Sequence, residues 1–275
     1  ALMASSGLNC YAGIALALGF GTVFSNKTFG ALASAELRMT GQAAEFKGGV
    51  FNEAPAEPSR AIYMALPLVI MIGGTIGFML WTGNGDIREG SGSQAILWSV
   101  ILATAVAFLC LAHSRRAKGE LLDIGFKGMG DLLPAVTMIY LALVLGASLN
   151  AVGMREFIAG MASSFPAPWV IPALLFVAAG ITSFTAGTSW GTYGILVPVA
   201  VPLAVGAGVP LPLAVAAVMG GGVFGDHCSP ISDTTIIASL ASGCDHMEHV
   251  RTQLPYALFG GVLATGLYLL AGLAA

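Results

Sequence analysis

Charged residues are scarce in this sequence. Only 9% of its 275 positions are charged, whereas 56% are hydrophobic, and an ordinary soluble domain carries charges on about a quarter of its positions. So few charges cannot cover a water-exposed surface, and they give no support to nucleic-acid binding. The sequence therefore excludes an ordinary soluble domain, and we expect the lipid bilayer to be its solvent.

Cysteine is also rare. The four cysteines stand in separate contexts and form no Cys-x-x-Cys pair, so neither a disulfide framework nor a cysteine zinc site is predicted. The chain begins at Ala1 without an initiator Met, and no basic segment precedes a cleavable apolar stretch. We expect an N-terminal truncation.

Apolar residues are gathered into blocks of about twenty, the length that a helix needs to cross a bilayer. Barrel strands would alternate in polarity, but residues 61–82 are apolar on every side. The predicted fold class is all-α integral membrane: a polytopic helical bundle, with residues 1–275 forming one transmembrane domain. The predicted spans are about 7–24, 61–82, 94–112, 132–149, 168–205, 211–240 and 254–273.

The distribution of Lys and Arg predicts the orientation. The densest basic cluster, residues 113–118, is expected in the cytoplasm by the positive-inside rule. The polar connection 25–60 then also lies inside and is interpreted as a solvated linker, whereas the Gly-rich turn 83–93 lies outside. The predicted location is the cytoplasmic (inner) membrane of a prokaryote, crossed several times.

Two of the apolar segments are interrupted by polar and helix-breaking residues. The first, 168–205, is interrupted around 182–192, and the second, 211–240, around 225–235. Unpaired backbone at membrane depth is tolerated only where it lines a cavity or binds something, and a pair of such discontinuous helices is typical of a transport site. Gly225 and Pro230 predict that the second helix stops near Gly225 and restarts near Asp233.

The second interruption contains two carboxylates, Asp226 and Asp233, and several hydroxyls. Oxygen atoms of these kinds bind hard cations such as sodium. Burial favours the protonated acid, whereas a bound cation favours the carboxylate, so one side chain is expected to hold either a proton or a sodium ion. Asp226 is predicted to be the principal shared carboxylate, and the predicted supporting ligands or orienting groups are Asp233, Ser229, Ser232 and Thr234.

Other readings of these residues stay open. Asp233 precedes a helical run and is alternatively a helix N-cap. His227 either relays protons or only orients the aspartate. In the first interruption Thr188 and Ser189 are chosen as facing the site, although small hydroxyl residues also serve helix packing.

Residues 244–249 contain His246 and His249 three positions apart. They lack the His-Glu-x-x-His order of a helix-borne zinc site. We interpret them as an interfacial loop rather than a metal site, because one histidine pair without further ligands is a weak signal.

Two motifs resemble those of the NhaC-type sodium/proton antiporter family. The run 224–235, followed by 243–246 and 250–256, is similar to the family's C-terminal signature, and 187–194 with Pro198 resembles its other motif. The resemblance implies inverted repeats whose broken helices face each other, with Asp226, Asp233, Thr188 and Ser189 in the transport region. Family members are about twice as long, which implies that an N-terminal repeat is absent here.

The sequence therefore predicts a secondary transporter, not an enzyme, that exchanges sodium for protons by alternating access, with no cofactor beyond the transported ions. Its expected partners are the bilayer, sodium ions and protons, with a second copy or the missing N-terminal half as the alternatives for association. Exchange of an organic acid such as malate or lactate, or of an amino acid, is the first alternative function. The others are a non-transporting membrane subunit and a membrane-embedded metal enzyme using His227, His246 and His249.

Overall fold

The computed structural model describes residue 5 and residues 7–41, 61–113, 118–242 and 244–275. Throughout these residues the regular structure is helical, as the composition predicts. Eleven α-helices are described: α1 Cys10–Ser25, α2 Gly30–Gly41, α3 Ile62–Thr82, α4 Gly92–His113, α5 Lys118–Ala151, α6 Met154–Ser163, α7 Ile171–Ala186, α8 Ser189–Ala207, α9 Leu211–Cys228, α10 Asp233–Ser242 and α11 His246–Ala274. A short 3₁₀ turn, Pro168–Val170, precedes α7.

Six of the described helices are long and apolar enough to cross a membrane: Ile62–Thr82, Gly92–His113, Pro168–Ala186, Ser189–Ala207, Leu211–Cys228 and His246–Ala274. Large apolar side chains point outward along them; in α3 no side chain is buried. Exposed apolar surface of this extent is unfavourable in water and favourable in lipid. The protein is therefore a multi-pass helical membrane protein.

The chain divides into two compact units, one made of residues 1–52 and 135–275 and the other of residues 53–134. In the second unit α3 and α4 pack against each other along their lengths. Small residues allow this approach, because a Cβ added at Gly74 would lie 3.2 Å from the Ser99 Oγ. The turn between the two helices is tied by Thr82, whose Oγ1 accepts a hydrogen bond from the backbone N–H of Ser91 at 3.0 Å.

In the first unit, the centre of the packing is the contact between α7 and α9. Their backbones come close at glycines of α9. For example, a Cβ added at Gly221 would lie 2.1 Å from the carbonyl oxygen of Phe176 in α7. The buried core around them includes Tyr11 of α1, Val218 of α9 and Tyr268 of α11. Since α1 and α11 both contact α9, residues from the two ends of the chain meet at the same helix.

Both predicted interruptions are present. α7 ends at Ala186, because the next residue, Gly187, has a φ of +65°, the left-handed conformation that favours glycine. α9 ends at Cys228 because Ser229 is extended, with ψ 127°, as a residue before a proline prefers. The second helix thus stops three residues later than Gly225 and restarts at Asp233, as predicted.

The structure corrects the interpretation of 168–205 as one broken span. Pro168–Ala186 and Ser189–Ala207 have 19 residues each, or about 28 Å at 1.5 Å per residue. Each is therefore long enough to be a span by itself. In the second segment α9, with 18 residues, also has nearly this length, whereas α10 has 10.

Two further predictions need correction. The connection 25–60 is not wholly a solvated linker, because α2 forms within it and packs on α11. The ring of Phe29, the residue before α2, lies 3.9 Å from the ring of Tyr256 of α11 between centroids. The predicted span 132–149 is part of a longer helix, α5, which begins at Lys118. Residues 42–60 and 114–117, which include most of the predicted basic cluster, lie outside the described residues.

Candidate ion-binding site

Asp226 lies in the last turn of α9 and its side chain is buried, with 4% of the residue exposed. The preceding residue explains how this position becomes enclosed. A Cβ added at Gly225 would lie 2.1 Å from the carbonyl oxygen of Gly180 and 2.7 Å from the backbone nitrogen of Phe184. Only glycine allows α7 to come this close, so the end of α9 is pressed against the end of α7.

The Asp226 carboxylate is bound by two hydroxyl groups from the far side of the interruption. The Ser232 Oγ donates to Oδ1 at 2.9 Å, and the Thr234 Oγ1 donates to Oδ2 at 2.6 Å. The two hydroxyl oxygens lie 2.9 Å from each other. These three side chains, which we call the Asp226 cluster, place carboxylate and hydroxyl oxygens within hydrogen-bonding distance at one point.

The backbone beside the cluster is also held. The carbonyl oxygen of Asp226 accepts hydrogen bonds from the Ser229 N–H and from the Thr235 Oγ1, both at 3.3 Å. The Ser229 Oγ itself turns away from the carboxylate and donates to the carbonyl oxygen of Phe184 at 2.8 Å. Ser229, predicted as an ion ligand, therefore ties the second interruption to the end of α7 in this structure.

The two interruptions touch each other. A Cβ added at Gly187, in the first, would lie 2.7 Å from the carbonyl oxygen of Ile231, in the second. Nearby, the Ser183 Oγ donates to the Gly222 carbonyl at 2.7 Å. The sequence predicted that two non-helical segments meet; the structure brings them together around the end of α9.

Within the part of the chain that the structure describes, no Lys, Arg or His side chain forms an ion pair with Asp226. The ion pair found there joins Arg38 to Glu248, whose side chains are 63% and 39% exposed. The first turn of α10 instead faces the carboxylate through Ser232 and Thr234, and the positive end of a helix dipole stabilises a nearby anion. The site therefore combines a buried acidic group with neutral hydroxyl partners.

Asp233 does not join the Asp226 cluster. It is exposed, and its Oδ1 accepts a hydrogen bond from the Thr234 N–H at 2.8 Å. The N-cap of α10 is the preceding residue: the Ser232 Oγ accepts from the Thr235 N–H at 3.4 Å, and the Ser232 carbonyl accepts from the Ile236 N–H at 2.9 Å. The residue that caps α10 is therefore Ser232, one position before Asp233, which the sequence offered as the alternative N-cap.

Thr188 and Ser189 are half-buried at the start of α8. Thr188 is the N-cap of that helix, because its Oγ1 accepts a hydrogen bond from the Gly191 N–H at 3.4 Å. No hydrogen bond between described residues connects either side chain to the Asp226 cluster. The structure therefore places them at the first interruption and shows a capping role for Thr188.

His227 points toward different partners from those of Asp226. Its Nδ1 lies 3.1 Å from the hydroxyl of Tyr11, and its carbonyl oxygen accepts a hydrogen bond from the Gln253 side chain at 3.1 Å. Neither partner was predicted from the sequence. Tyr11, a polar ring in an otherwise apolar span, and Gln253, inside the motif 250–256, were the available signals.

The residues 244–249 do not form a loop throughout, because α11 begins at His246. Asp245 caps it by accepting a hydrogen bond from the Glu248 N–H at 2.9 Å. The His246 ring contacts the Ser239 Oγ at 3.2 Å and the Pro230 carbonyl at 2.6 Å. Among the described residues no three His, Cys, Asp or Glu side chains are grouped as metal ligands.

These observations define the class: a multi-pass helical membrane protein in which a span-length helix ends at a buried carboxylate surrounded by hydroxyl groups. The chain belongs to the Na⁺/H⁺ antiporter family, whose model matches residues 1–273. The resemblance noted in the two sequence motifs is thereby confirmed.

Curated relatives carry several names. The arginine/ornithine antiporter ArcD of Halobacterium salinarum is 31% identical over 204 residues, which are 72% of this chain and 41% of that protein. The malate-2H⁺/Na⁺-lactate antiporter of Bacillus subtilis is 32% identical over 149 residues, 48% of this chain and 32% of that protein. The Na⁺/H⁺ antiporter NhaC of Alkalihalophilus pseudofirmus is 32% identical over 104 residues, 38% of this chain and 22% of that protein.

The chain spans about two fifths of the length of the first relatives, 40% of an uncharacterized protein of Haemophilus influenzae and 41% of ArcD. No solved structure matches this chain.

Proposed function

We propose that this chain provides the cation site of a secondary transporter that exchanges sodium for protons by alternating access in the cytoplasmic membrane of a prokaryote. The observation that carries the proposal is Asp226, a buried carboxylate whose two oxygens are bound by the hydroxyls of Ser232 and Thr234. An ionisable group inside a membrane protein is costly to maintain and usually functional.

The Asp226 cluster suits sodium because hydroxyl groups have two roles. Each donates one hydrogen bond and keeps lone pairs that accept. In the present arrangement Ser232 and Thr234 donate to the carboxylate. When a sodium ion binds, the two hydroxyls rotate so that their oxygens, together with a carboxylate oxygen, face the ion. Oxygen ligands of this kind are those that hard cations prefer.

A proton competes with sodium for the same group. An unpaired buried charge is unfavourable, so Asp226 holds either a cation or a proton when it is enclosed. This exclusive choice couples the two ions: a sodium ion leaves on one side when a proton replaces it, and the reverse follows on the other side. His227, hydrogen-bonded to Tyr11, is proposed as a relay for that proton.

The remaining predicted residues have supporting parts in this proposal. Ser229 holds the end of α9 against α7, and Thr188 and Ser189 form the opposite interruption. Asp233, at the exposed start of α10, is given no contact with the enclosed ion, although the sequence suggested one. Because the chain spans about two fifths of its first relatives, we further propose that a second, complementary half or a second copy completes the transporter.

The test is sodium-dependent proton flux in vesicles containing the full-length protein, followed with an internal pH-sensitive dye. Asp226→Asn removes the exchangeable charge and should reduce the flux to that of empty vesicles. Asp233→Asn is the matched control, since it makes the same chemical change on an exposed carboxylate seven positions later. The proposal fails if Asp226→Asn retains wild-type flux while the folded protein is present in equal amounts.

Exchange of an organic solute is the second candidate function, favoured by the names of two relatives, the arginine/ornithine and malate-2H⁺/Na⁺-lactate antiporters. The same vesicles test it when they are loaded with malate, lactate, arginine or ornithine in place of sodium. Exchange that requires one of these solutes, and is unaffected by sodium alone, would select this candidate over sodium/proton exchange.

A further inference from the structure

A cavity of about 340 Å³ lies between α1 and α11, next to the end of α9. Along α1 its lining extends from Tyr11 to Thr22, a rise of about 16 Å at 1.5 Å per residue. Tyr11 belongs to the buried core, whereas Thr22 is in the last turn of α1. The cavity therefore extends from the core of the unit toward the end of α1.

Exposed charges mark the outer end of this cavity. Arg38 of α2 pairs with Glu248 of α11, and their side chains are 63% and 39% exposed. Because charged side chains are costly inside a bilayer, this pair is expected at the level of the water. Two lining residues belong to the same part of the structure: Leu32 of α2, and His249, which follows Glu248. This end of the cavity is therefore close to the aqueous phase.

The lining can hold water. The Thr22 Oγ1 donates to the Gly19 carbonyl at 2.8 Å, and the Thr252 Oγ1 donates to the Glu248 carbonyl at 2.9 Å. Each hydroxyl oxygen keeps lone pairs that accept hydrogen bonds. The Gln253 amide nitrogen donates to the His227 carbonyl, which leaves the amide oxygen as a further acceptor. A polar cavity much larger than the roughly 30 Å³ of one water molecule meets the conditions for internal water.

His227 presents one ring nitrogen to this cavity. Its Nδ1 lies 3.1 Å from the Tyr11 hydroxyl, and its Nε2 has no hydrogen bond with a described residue. Within the part of the chain that the structure describes, the one enclosed side-chain nitrogen or oxygen without a partner is the Nε2 of His249. The Nε2 of His227 therefore keeps accessible surface, and His227 lines the cavity.

Other titratable groups lie on the helices around the end of α9. They are Cys10 of α1, Tyr193 of α8, Asp226 and Cys228 of α9, Asp233 of α10, and His246, Glu248, His249, Arg251, Tyr256 and Tyr268 of α11. Of these, only His249 and Tyr256 also line the cavity. The Tyr256 hydroxyl accepts from the Phe29 N–H at 2.8 Å, and the Nε2 of His249 is enclosed. His227 is thus the lining group that can exchange a proton with water in the cavity near neutral pH.

We propose that this cavity is the water path by which protons reach the exchanger, and that Tyr11 is the positioning residue that holds the His227 ring toward it. The inference rests on the proposed sodium/proton exchange and deepens it. In the neutral ring Nδ1–H donates to the Tyr11 hydroxyl oxygen and Nε2 carries a lone pair. A hydronium ion in the cavity gives its proton to Nε2, so that one O–H bond breaks, one N–H bond forms and water remains. Protons then arrive on the α1 and α11 side of α9, whereas the Asp226 carboxylate is bound by Ser232 and Thr234.

Thiol labelling tests whether the cavity contains water. Ala15 lines it, and its neighbour Leu16 is 62% exposed on the outer, lipid-facing side of α1. In a cysteine-free full-length protein that retains flux, Ala15→Cys should react with a membrane-impermeant cationic methanethiosulfonate roughly tenfold or more faster than Leu16→Cys, because only a thiol in water ionises readily. Labelled Ala15→Cys should lose most of its sodium-dependent proton flux. Equal labelling rates, or full flux after labelling, would overturn the proposal.

Tyr11→Phe tests the positioning role. The ring stays in place against Phe224, and only the hydroxyl that contacts His227 is lost. A hydrogen bond accepted from the charged imidazole is stronger than one accepted from the neutral ring, so its loss disfavours protonation. The pH profile of flux should shift to lower pH by about half a unit to one unit. Tyr268→Phe is the matched control: it also removes a buried hydroxyl, but outside the cavity, so it should leave the profile unchanged. An unshifted profile for Tyr11→Phe, or the same shift in both variants, would contradict the positioning role.

The outcomes separate this inference from the proposed function. If Asp226→Asn retains wild-type flux, the cation site is wrong, whatever the labelling shows. If Asp226→Asn abolishes flux while labelled Ala15→Cys and Tyr11→Phe behave as wild type, the cation site stands and the water path is wrong. The labelling rates do not depend on flux, so they decide the accessibility of the cavity even if Tyr11→Phe fails to fold.

Discussion

Replacing Gly225 with alanine tests whether close contact between α7 and α9 positions Asp226. The added Cβ would lie 2.1 Å from the Gly180 carbonyl oxygen and 2.7 Å from the Phe184 nitrogen, whereas ordinary contacts begin at 3.4 Å. Both obstructing atoms belong to the backbone of α7, so no side-chain rotation relieves the clash. The two helices must separate by roughly an ångström at the residue before Asp226.

The cost follows from the contacts that this separation disturbs. Overpacking a close-packed core costs about 1–3 kcal/mol. Two hydrogen bonds also cross this contact, from Ser229 to the Phe184 carbonyl at 2.8 Å and from Ser183 to the Gly222 carbonyl at 2.7 Å. Each of these hydrogen bonds contributes about 0.5–1.5 kcal/mol to the stability of the folded protein. We expect a total destabilisation of about 2–6 kcal/mol, together with loss of sodium-dependent flux.

The assay is thermal unfolding of detergent-solubilised protein, followed by size-exclusion chromatography with fluorescence detection. Gly266→Ala is the matched control, because a Cβ at this helical glycine meets nothing within 4 Å. Gly261→Ala is intermediate, because the three atoms nearest to its Cβ all belong to the Phe224 ring, the first at 2.5 Å, and a side chain can move more easily than a backbone. The midpoint should fall most for Gly225→Ala, less for Gly261→Ala, and should hold or rise slightly for Gly266→Ala, since alanine favours helix.

A midpoint for Gly225→Ala equal to that of Gly266→Ala would refute the reasoning, because it would mean that α7 and α9 are not in backbone contact. If Gly225→Ala had both wild-type stability and wild-type flux, the contact between α7 and α9 would not be what positions Asp226.

Three further predictions concern single side chains. Tyr268→Phe should destabilise the protein by about 1–3 kcal/mol, because the buried hydroxyl lies within hydrogen-bonding distance of the carbonyl oxygens of Leu8 and Ala216, at 3.1 and 2.9 Å, and shares its one proton between them; an unchanged unfolding midpoint would contradict this. Thr234→Val should weaken sodium activation of proton flux several-fold and Thr234→Ser should preserve it, since only the hydroxyl contacts Asp226; equal activation curves would exclude a ligand role. Arg38→Gln should lower stability by no more than about 1 kcal/mol, since its ion pair with Glu248 is exposed, and raising the salt concentration should diminish the difference between variant and wild type.

The helical membrane architecture was predictable because the amino-acid composition alone shows that the protein is surrounded by lipid rather than water. With 9% charged residues, long apolar segments have to pair their backbone groups within helices. The interruptions were predictable too, since Gly187 and Pro230 impose local backbone conformations that do not depend on distant residues. Family membership followed from the same local motifs.

Whether an interrupted segment is one span or two was not predictable, since the position of the break relative to each helix end depends on packing. The pattern also could not assign the two aspartates, seven positions apart. Asp226 is enclosed because the glycines of α9 admit α7, whereas Asp233 starts a helix whose outer side is exposed.

The sequence by itself determined the solvent, the helices and the places where they break, because these depend on composition and on neighbouring residues. Only the tertiary structure decided that Ser232 and Thr234 turn toward Asp226, that Ser229 turns away, and that Tyr11 reaches His227 from the other end of the chain. Such contacts join residues by distance in space, which no local pattern encodes.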